Sequence, residues 1–73
     1  MRTEINSIVR DYAVSHGNSF ARSWTALYQS YNSATGTNIF KLSKEQNKKP
    51  LDVIEQAGNL ETLLILAENL LAA

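Results

Sequence analysis

The chain has 73 residues, with seven basic and seven acidic side chains, a formal net charge of zero and no cysteine. This length allows one domain, and a domain this small usually needs a disulfide, a metal or association to supplement its core. The composition excludes disulfides and thiolate metal ligands, and a single histidine, His16, is too few for a zinc site without several carboxylates. Association is therefore the remaining source of added stability.

The first predicted helix covers TEINSIVRDYAVSHG. Thr3 is the predicted N-cap, and Gly17 is the predicted residue that ends the helix. The apolar residues recur at the spacing of one buried helix face; they are Ile5, Ile8, Val9, Tyr12 and Ala13. Val14 lies outside this stripe.

The second predicted helix lies in NSFARSWTALYQSYNSATG, with Ser19 as its cap and Gly36 at its end. Its apolar stripe is Phe20, Trp24, Leu27, Tyr28 and Tyr31. Such a stripe could stack nucleic-acid bases, but its spacing and the few basic residues within it favour a buried core face. Trp24, the largest side chain, is the predicted centre of the core, and its truncation to alanine is expected to cost about 3–5 kcal/mol.

The third segment, TNIFKLSKEQNKK, predicts a short helix from Asn38 to Gln46. Alternation over Ile39–Lys41 also permits a strand, although no second strand is predicted to pair with it. Pro50 suits the first turn of the next helix, PLDVIEQAG, where a missing N–H costs nothing. Asp52 and Glu55 lie near the positive end of that helix.

The last predicted helix is LETLLILAENLLAA, with Asn59 as its cap. Its core face comprises Leu60, Leu63, Leu64, Ala67, Leu70 and Leu71. Leu66 lies at the edge of this face, and Ile65 lies nearly opposite. Together with Val14, these two residues form the candidate interface with a protein partner or with a second copy in a two-fold dimer. The whole pattern predicts one all-α domain over residues 1–73, a compact bundle of four to five short helices.

A basic run in the middle of the chain supports an alternative, nucleic-acid binding. It consists of Lys41, Lys44, Lys48 and Lys49. Arg10 or Arg22 could contribute a further phosphate contact. A lysine run among polar residues is more often a solvated loop, and the helix that follows is acidic where a recognition helix would begin.

The sequence contains no catalytic constellation that we recognise. His16 lies beside Gly17 at a helix end, where it is more often a cap than a general base. The chain has no glycine-rich phosphate loop, and Asp52 and Glu55 have no second carboxylate pair or metal motif. We therefore predict no enzyme activity, no cofactor and no metal. No apolar run approaches the roughly 18 residues of a membrane span, and the charged start differs from a signal peptide, so a cytoplasmic protein is predicted.

Three motifs follow one another in the chain: EINSIVRDYA, SWTALYQSYNSATGTNIF and KKPLDVIEQAGNLETLLILAENLL. In this order the sequence resembles the C-terminal helical domain of phage antirepressors of the Rha, BRO and KilA-N-associated type. The matching positions are Ile5, Val9, Arg10, Tyr12, Trp24, Leu27, Tyr28, Tyr31, Gly36, Ile39, Leu51, Ile54, Gly58, Leu60, Leu63, Leu64 and Ala67.

The resemblance covers nearly the whole chain, and most of its positions are core positions. It implies a non-enzymatic accessory module of a larger phage regulatory or DNA-metabolism protein, working in the host bacterial cytoplasm. The family's usual N-terminal effector domain has no counterpart in this sequence, which implies either an excised domain or a small stand-alone phage protein. The resemblance transfers no catalytic residues.

Overall fold

A computed structural model describes residues 1–72, and these residues form five α-helices. The helices are α1 (Arg2–His16), α2 (Phe20–Thr35), α3 (Ile39–Gln46), α4 (Pro50–Gln56) and α5 (Leu60–Leu70). The prediction of an all-α bundle is confirmed. The alternative strand at Ile39–Lys41 is wrong, because these residues form the first turn of α3.

The ends of the helices follow the capping residues in the sequence. The Ser19 hydroxyl accepts a hydrogen bond from the Arg22 N–H at 3.1 Å at the start of α2. Gly17 ends α1 with a φ of 64°, in the left-handed region that glycine adopts without strain. The prediction of Thr3 as N-cap is wrong, because α1 begins two residues earlier than that cap would place it, at Arg2, with Met1 at the cap position.

Helices α1, α2 and α5 pack against one another, and α3 and α4 pair along the side of this group. Helix α3 also contacts α2, and α4 also contacts α5. All five helices contribute to one core, whose buried members are Ile5, Val9, Leu27, Tyr28, Tyr31, Ile39, Val53, Ile54, Leu63, Ala67 and Leu71. The bundle thus brings the first and last helices of the chain side by side.

Trp24 is not the centre of the core, contrary to the prediction. It is only partly buried, where it stacks on Tyr28 with 5.4 Å between the ring centroids, whereas Leu27 is 0% exposed. The buried face of α2 is centred on Ser23 and Leu27. Ser23 fits there because its hydroxyl donates to the Ser19 carbonyl oxygen at 3.1 Å, which satisfies the buried polar group. Because a hydropathy pattern treats Ser23 as a surface residue, it places the buried face of α2 part of a turn away from its position in the structure.

At the C-terminal end of α5, the burial of the leucines differs from the prediction. Leu63 and Ala67 are fully buried, as expected. Leu70, predicted on the core face, is 46% exposed, whereas the next residue, Leu71, is 7% exposed and belongs to the core. Leu66, at the edge of the face, is partly buried and packs against the core.

Candidate functional site

The three candidate interface residues differ in how much of each side chain is exposed. Val14 is 76% exposed and Ile65 is 51% exposed, so both apolar side chains are free to contact a partner. Leu66 packs against the core and presents less surface. A single exposed apolar residue needs no special explanation, so the surroundings of Val14 and Ile65 decide whether they belong to a surface.

A groove runs between α1 and α5. Its first part encloses about 440 Å³ and is lined by Thr3, Glu4, Ser7, Ile8, Leu64 and Glu68. Its second part encloses about 140 Å³ and is lined by Ile8, Asp11, Tyr12, Ser15, His16, Leu71 and Ala72. Ile8 lines both parts, so the two depressions lie next to each other along the same pair of helices, and together we call them the α1–α5 groove. Because both helices advance along it together, α1 and α5 run in the same direction.

Val14 and Ile65 do not line this groove, but each shares a helix stripe with residues that do. Val14 lies seven residues after Ser7 and three after Asp11, and side chains at these spacings share one helix stripe. Ile65 lies three residues before Glu68 and therefore shares a stripe with it on α5. Ser7, Asp11 and Glu68 all line the groove. We call the groove together with Val14 and Ile65 the α1–α5 face.

The charges along the groove are mainly negative. Glu4, Asp11 and Glu68 line it, and among residues 1–72 no lysine or arginine does. The Met1 amine lies 3.5 Å from the Glu4 carboxylate, at the start of the groove. Arg10 is exposed on the outer side of α1, one turn before Val14. The zero net charge of the chain therefore conceals a locally acidic surface.

The lysines of the middle segment gather at the corner between α3 and α4. A surface depression of about 360 Å³ is lined by Ser43, Lys44, Asn47, Lys48 and Lys49. Asn47 adopts a φ of 53°, which turns the chain so that Lys48 and Lys49 come back beside Lys44. Lys41 does not line this depression, and the Lys48 ammonium donates to Gln56 Oε1 at 2.7 Å.

Sequence reasoning missed an ion-pair cluster that joins α1 to α4. Arg2 Nη2 donates to Asp52 Oδ1 at 2.5 Å, and Arg2 Nε donates to Glu55 Oε2 at 2.7 Å. The hydrogen bond from Arg2 lowers the pKa of Asp52 below its ordinary value, and the same contact raises the pKa of Arg2. The partners are 50 and 53 residues apart, so no local sequence pattern indicates the pairing.

The buried phenol of Tyr28 should lower the stability of the fold at high pH. Burial raises the pKa of Tyr28 to about 12, from an ordinary value of 10.0; the charge of Arg2 opposes this rise, and the Asp52 carboxylate adds a smaller increase. The folded state binds the phenol proton of Tyr28 more tightly than the unfolded chain does. The resulting contribution to the free energy of unfolding is complete below pH 10 and decreases as the pH rises towards 12. Thermal melts between these two limits should show a smaller loss of stability in Tyr28→Phe than in the wild type. An identical pH profile for both proteins would contradict the burial of this phenol.

His16 occupies a structural position. Its ring stacks on Tyr12 with 4.2 Å between centroids, and its Nδ1 lies 3.1 Å from the Tyr12 carbonyl oxygen. Within residues 1–72, no group of three or more histidine or acidic side chains is arranged to hold a metal ion. His16 therefore stabilises the last turn of α1 through local contacts.

Comparison with known proteins gives no match among family models, curated proteins or solved structures. The resemblance to antirepressor domains therefore remains a prediction. None of the helices in the described part of the chain has the length and apolar character needed to cross a membrane.

Proposed function

We propose that the chain is a non-enzymatic protein-interaction module that binds through its α1–α5 face. The observation that supports this function best is the presence of two exposed apolar side chains beside a groove that has apolar residues in its lining. Ile8 and Leu64 are partly buried groove residues, and Val14 and Ile65 are exposed on the helix stripes that carry the polar border of the groove. An apolar centre with a polar rim is typical of an interaction site.

The energetic reason lies in the small size of the domain. Each Å² of apolar surface removed from water contributes roughly 25 cal/mol, and a chain of this length has little buried area of its own. Covering Val14, Ile65 and the groove between them stabilises the folded state as well as the complex, because a ligand that binds only the folded chain adds to its stability.

The proposed setting is a phage regulatory or DNA-metabolism protein in the cytoplasm of a host bacterium. This part of the proposal is supported by the order of the three motifs that resemble the antirepressor C-terminal domain. In such a protein the module would join the regulator to a protein partner or to another copy of itself.

Peptide selection tests the proposed function without knowledge of the natural partner. Random peptides of about 14 residues, the length of a helix of roughly 20 Å, are selected for binding to the immobilised wild-type chain. We expect the selected peptides to bind Ile65→Lys at least roughly tenfold more weakly, a loss of about 1.4 kcal/mol. Gln29→Lys adds the same charge at an exposed position of α2 and is the matched control. If the peptides bind Ile65→Lys with the same affinity as they bind the wild type, the interaction site lies elsewhere on the chain.

Sedimentation decides whether the partner is a second copy. A dimer that is lost in Ile65→Lys and kept in Gln29→Lys would show self-association through this face. Because Ile65 points away from the core, circular dichroism of Ile65→Lys should remain helical. If the wild type sediments as a monomer at high micromolar concentration, the chain does not self-associate and the partner is a different protein.

Nucleic-acid binding is the second candidate, and the convergence of Lys44, Lys48 and Lys49 around one depression favours it. The acidic side chains of Glu45 on α3 and Asp52 on α4 weaken it, since both lie close in sequence to these lysines. We expect wild type to bind duplex DNA more weakly than micromolar at physiological salt, and the Lys44→Gln, Lys48→Gln, Lys49→Gln triple variant to keep its fold. Fluorescence anisotropy measures this binding. Micromolar affinity in the wild type that is lost in the triple variant would make nucleic acid the ligand.

A further inference from the structure

We infer that the occupant of the α1–α5 groove is a basic amphipathic helix from a different protein, with an apolar stripe flanked by lysine or arginine. This inference rests on the proposed function, because it names the partner of the same face. It depends on three properties of the groove: its backbone environment, its apolar floor and its charge.

The groove favours a helix over an extended segment. Its two walls are the helices α1 and α5, whose backbone N–H and C=O groups are already paired within each helix. No free strand edge is available to satisfy the backbone of an extended peptide. A helix brings its own backbone hydrogen bonds and can pack its side chains between the two walls. From Thr3 to His16 the groove is about 20 Å long, which matches a helix of about 13 residues.

The floor of the groove selects an apolar stripe. Ile8 and Leu64 lie at its centre, and Tyr12 continues the apolar surface towards Leu71. Ile8, Tyr12 and Leu64 are each partly buried and pack against the core, so their positions are fixed before a partner arrives. Apolar side chains at i, i+3, i+4 and i+7 of a partner helix would face this row.

The borders of the groove select positive charge beside that stripe. Glu4 and Glu68 line its first part, and Asp11 lines the second. Each of these acids is exposed. The Met1 amine partly neutralises Glu4, and Arg10 is exposed on the outer side of α1. The balance remains acidic, so lysine or arginine on a partner would complement it and an acidic partner would be repelled.

The same charges disfavour a second copy of this chain as the occupant. A two-fold dimer places the same surface patch on both sides of the interface. Pairing this face with itself would bring Glu4, Asp11 and Glu68 of one copy towards the same acids of the other. The lysines lie on α3 and at the α3–α4 corner, outside the groove, so only Arg10 and the Met1 amine could partly offset this repulsion.

Three synthetic peptides of about 14 residues test the inference. The first has leucine at i, i+3, i+4 and i+7 with lysine elsewhere, the second has the same leucines with glutamate elsewhere, and the third is a scrambled leucine–lysine sequence with no apolar stripe. Calorimetry measures affinity, and NMR chemical-shift changes locate the binding site on the intact chain. We expect the first peptide to bind at least roughly tenfold more tightly than either of the others, with shifts at Ile8 and Leu64.

Variants of the chain assign this preference to the groove. Glu4→Gln, Asp11→Asn and Glu68→Gln together should weaken binding of the lysine peptide roughly tenfold and make binding less sensitive to salt. Glu68→Gln alone should weaken it more than Glu45→Gln, which removes one acid from α3 and is the matched control. Circular dichroism of each variant confirms that the fold is kept.

The outcomes separate this inference from the proposed function. If the glutamate peptide binds in the groove as tightly as the lysine peptide, the charge preference is wrong and the interaction face stands. Binding of the lysine peptide outside the groove, or unchanged binding by the triple variant, overturns the inference as well. If no helical peptide binds and selection also yields only binders insensitive to Ile65→Lys, both the inference and the proposed function fail.

Discussion

Replacing Leu63 with alanine is expected to leave little folded protein at room temperature. Leu63 is fully buried in α5, the helix that packs against α1, α2 and α4. A buried leucine-to-alanine change costs about 2–5 kcal/mol, because apolar contacts are lost and a cavity remains. Domains of this size are stable by only a few kcal/mol, so the loss is comparable with the total. Urea unfolding followed by circular dichroism measures it.

Leu70→Ala is the matched control, since it makes the same chemical change seven residues later in the same helix. Leu70 is 46% exposed at the last turn, so its truncation should cost less than about 1 kcal/mol. Two variants of equal stability would show that α5 is rotated or displaced relative to the core. The comparison is independent of helix propensity, because both positions change leucine to alanine.

Replacing Asn59 with alanine should destabilise the fold by about 1–3 kcal/mol through the loss of one hydrogen bond. The Asn59 amide donates to the Tyr31 hydroxyl at 3.0 Å, across the joint between α4 and α5. Tyr31 is 2% exposed, so its hydroxyl would lose this partner inside the core. Asn59 makes no side-chain cap bond to α5, so the effect of the substitution does not arise from capping.

A double-mutant cycle with Tyr31→Phe isolates this contact. Tyr31→Phe alone should destabilise the fold less than Asn59→Ala does. Tyr31→Phe leaves the half-buried Asn59 amide without its partner, and this amide can still bond water, whereas Asn59→Ala leaves the buried Tyr31 hydroxyl without one. Asn18→Ala, at an exposed position of the α1–α2 turn, should change stability by no more than about 0.5 kcal/mol. Additive effects of the two substitutions would show that the hydrogen bond contributes nothing to folding.

The helices themselves follow from local sequence signals. The caps at Ser19 and Asn38, the position of Pro50 and the turns at Gly17 and Gly36 each depend on residues within a few positions of one another. Apolar periodicity identifies the stripe of each helix for the same reason. Such signals depend on residues close together in the sequence, which is why they predict the helices and most of their ends, with the start of α1 as an exception.

The errors arise where a side chain depends on another helix. The stripe of α2 includes Trp24, but only the neighbours of α2 decide that Ser23 and Leu27 lie deeper. Asn59 has the residue type and position of a cap, yet Tyr31 from α2 takes its amide instead. These outcomes depend on which helices meet, and a single sequence gives little information about that.

The candidate site was predictable only in part for the same reason. Ile65 and Val14 could be identified because each departs from the stripe of its own helix, and both are exposed. Leu66 was ambiguous at the edge of the stripe, and it packs on the core. The α1–α5 groove and its acidic border require the first helix to lie beside the last, which no local spacing indicates.

The pairing of the first helix with the last also affects the order in which the fold can form. Contacts between consecutive helices need only short loops, whereas joining α1 to α5 closes nearly the whole chain and carries the larger loop entropy cost. During synthesis the N-terminal segment emerges first, and α1 must wait for α5 before this face exists. A partner that binds the α1–α5 face would therefore bind and stabilise only chains in which α5 has been made and has packed against α1.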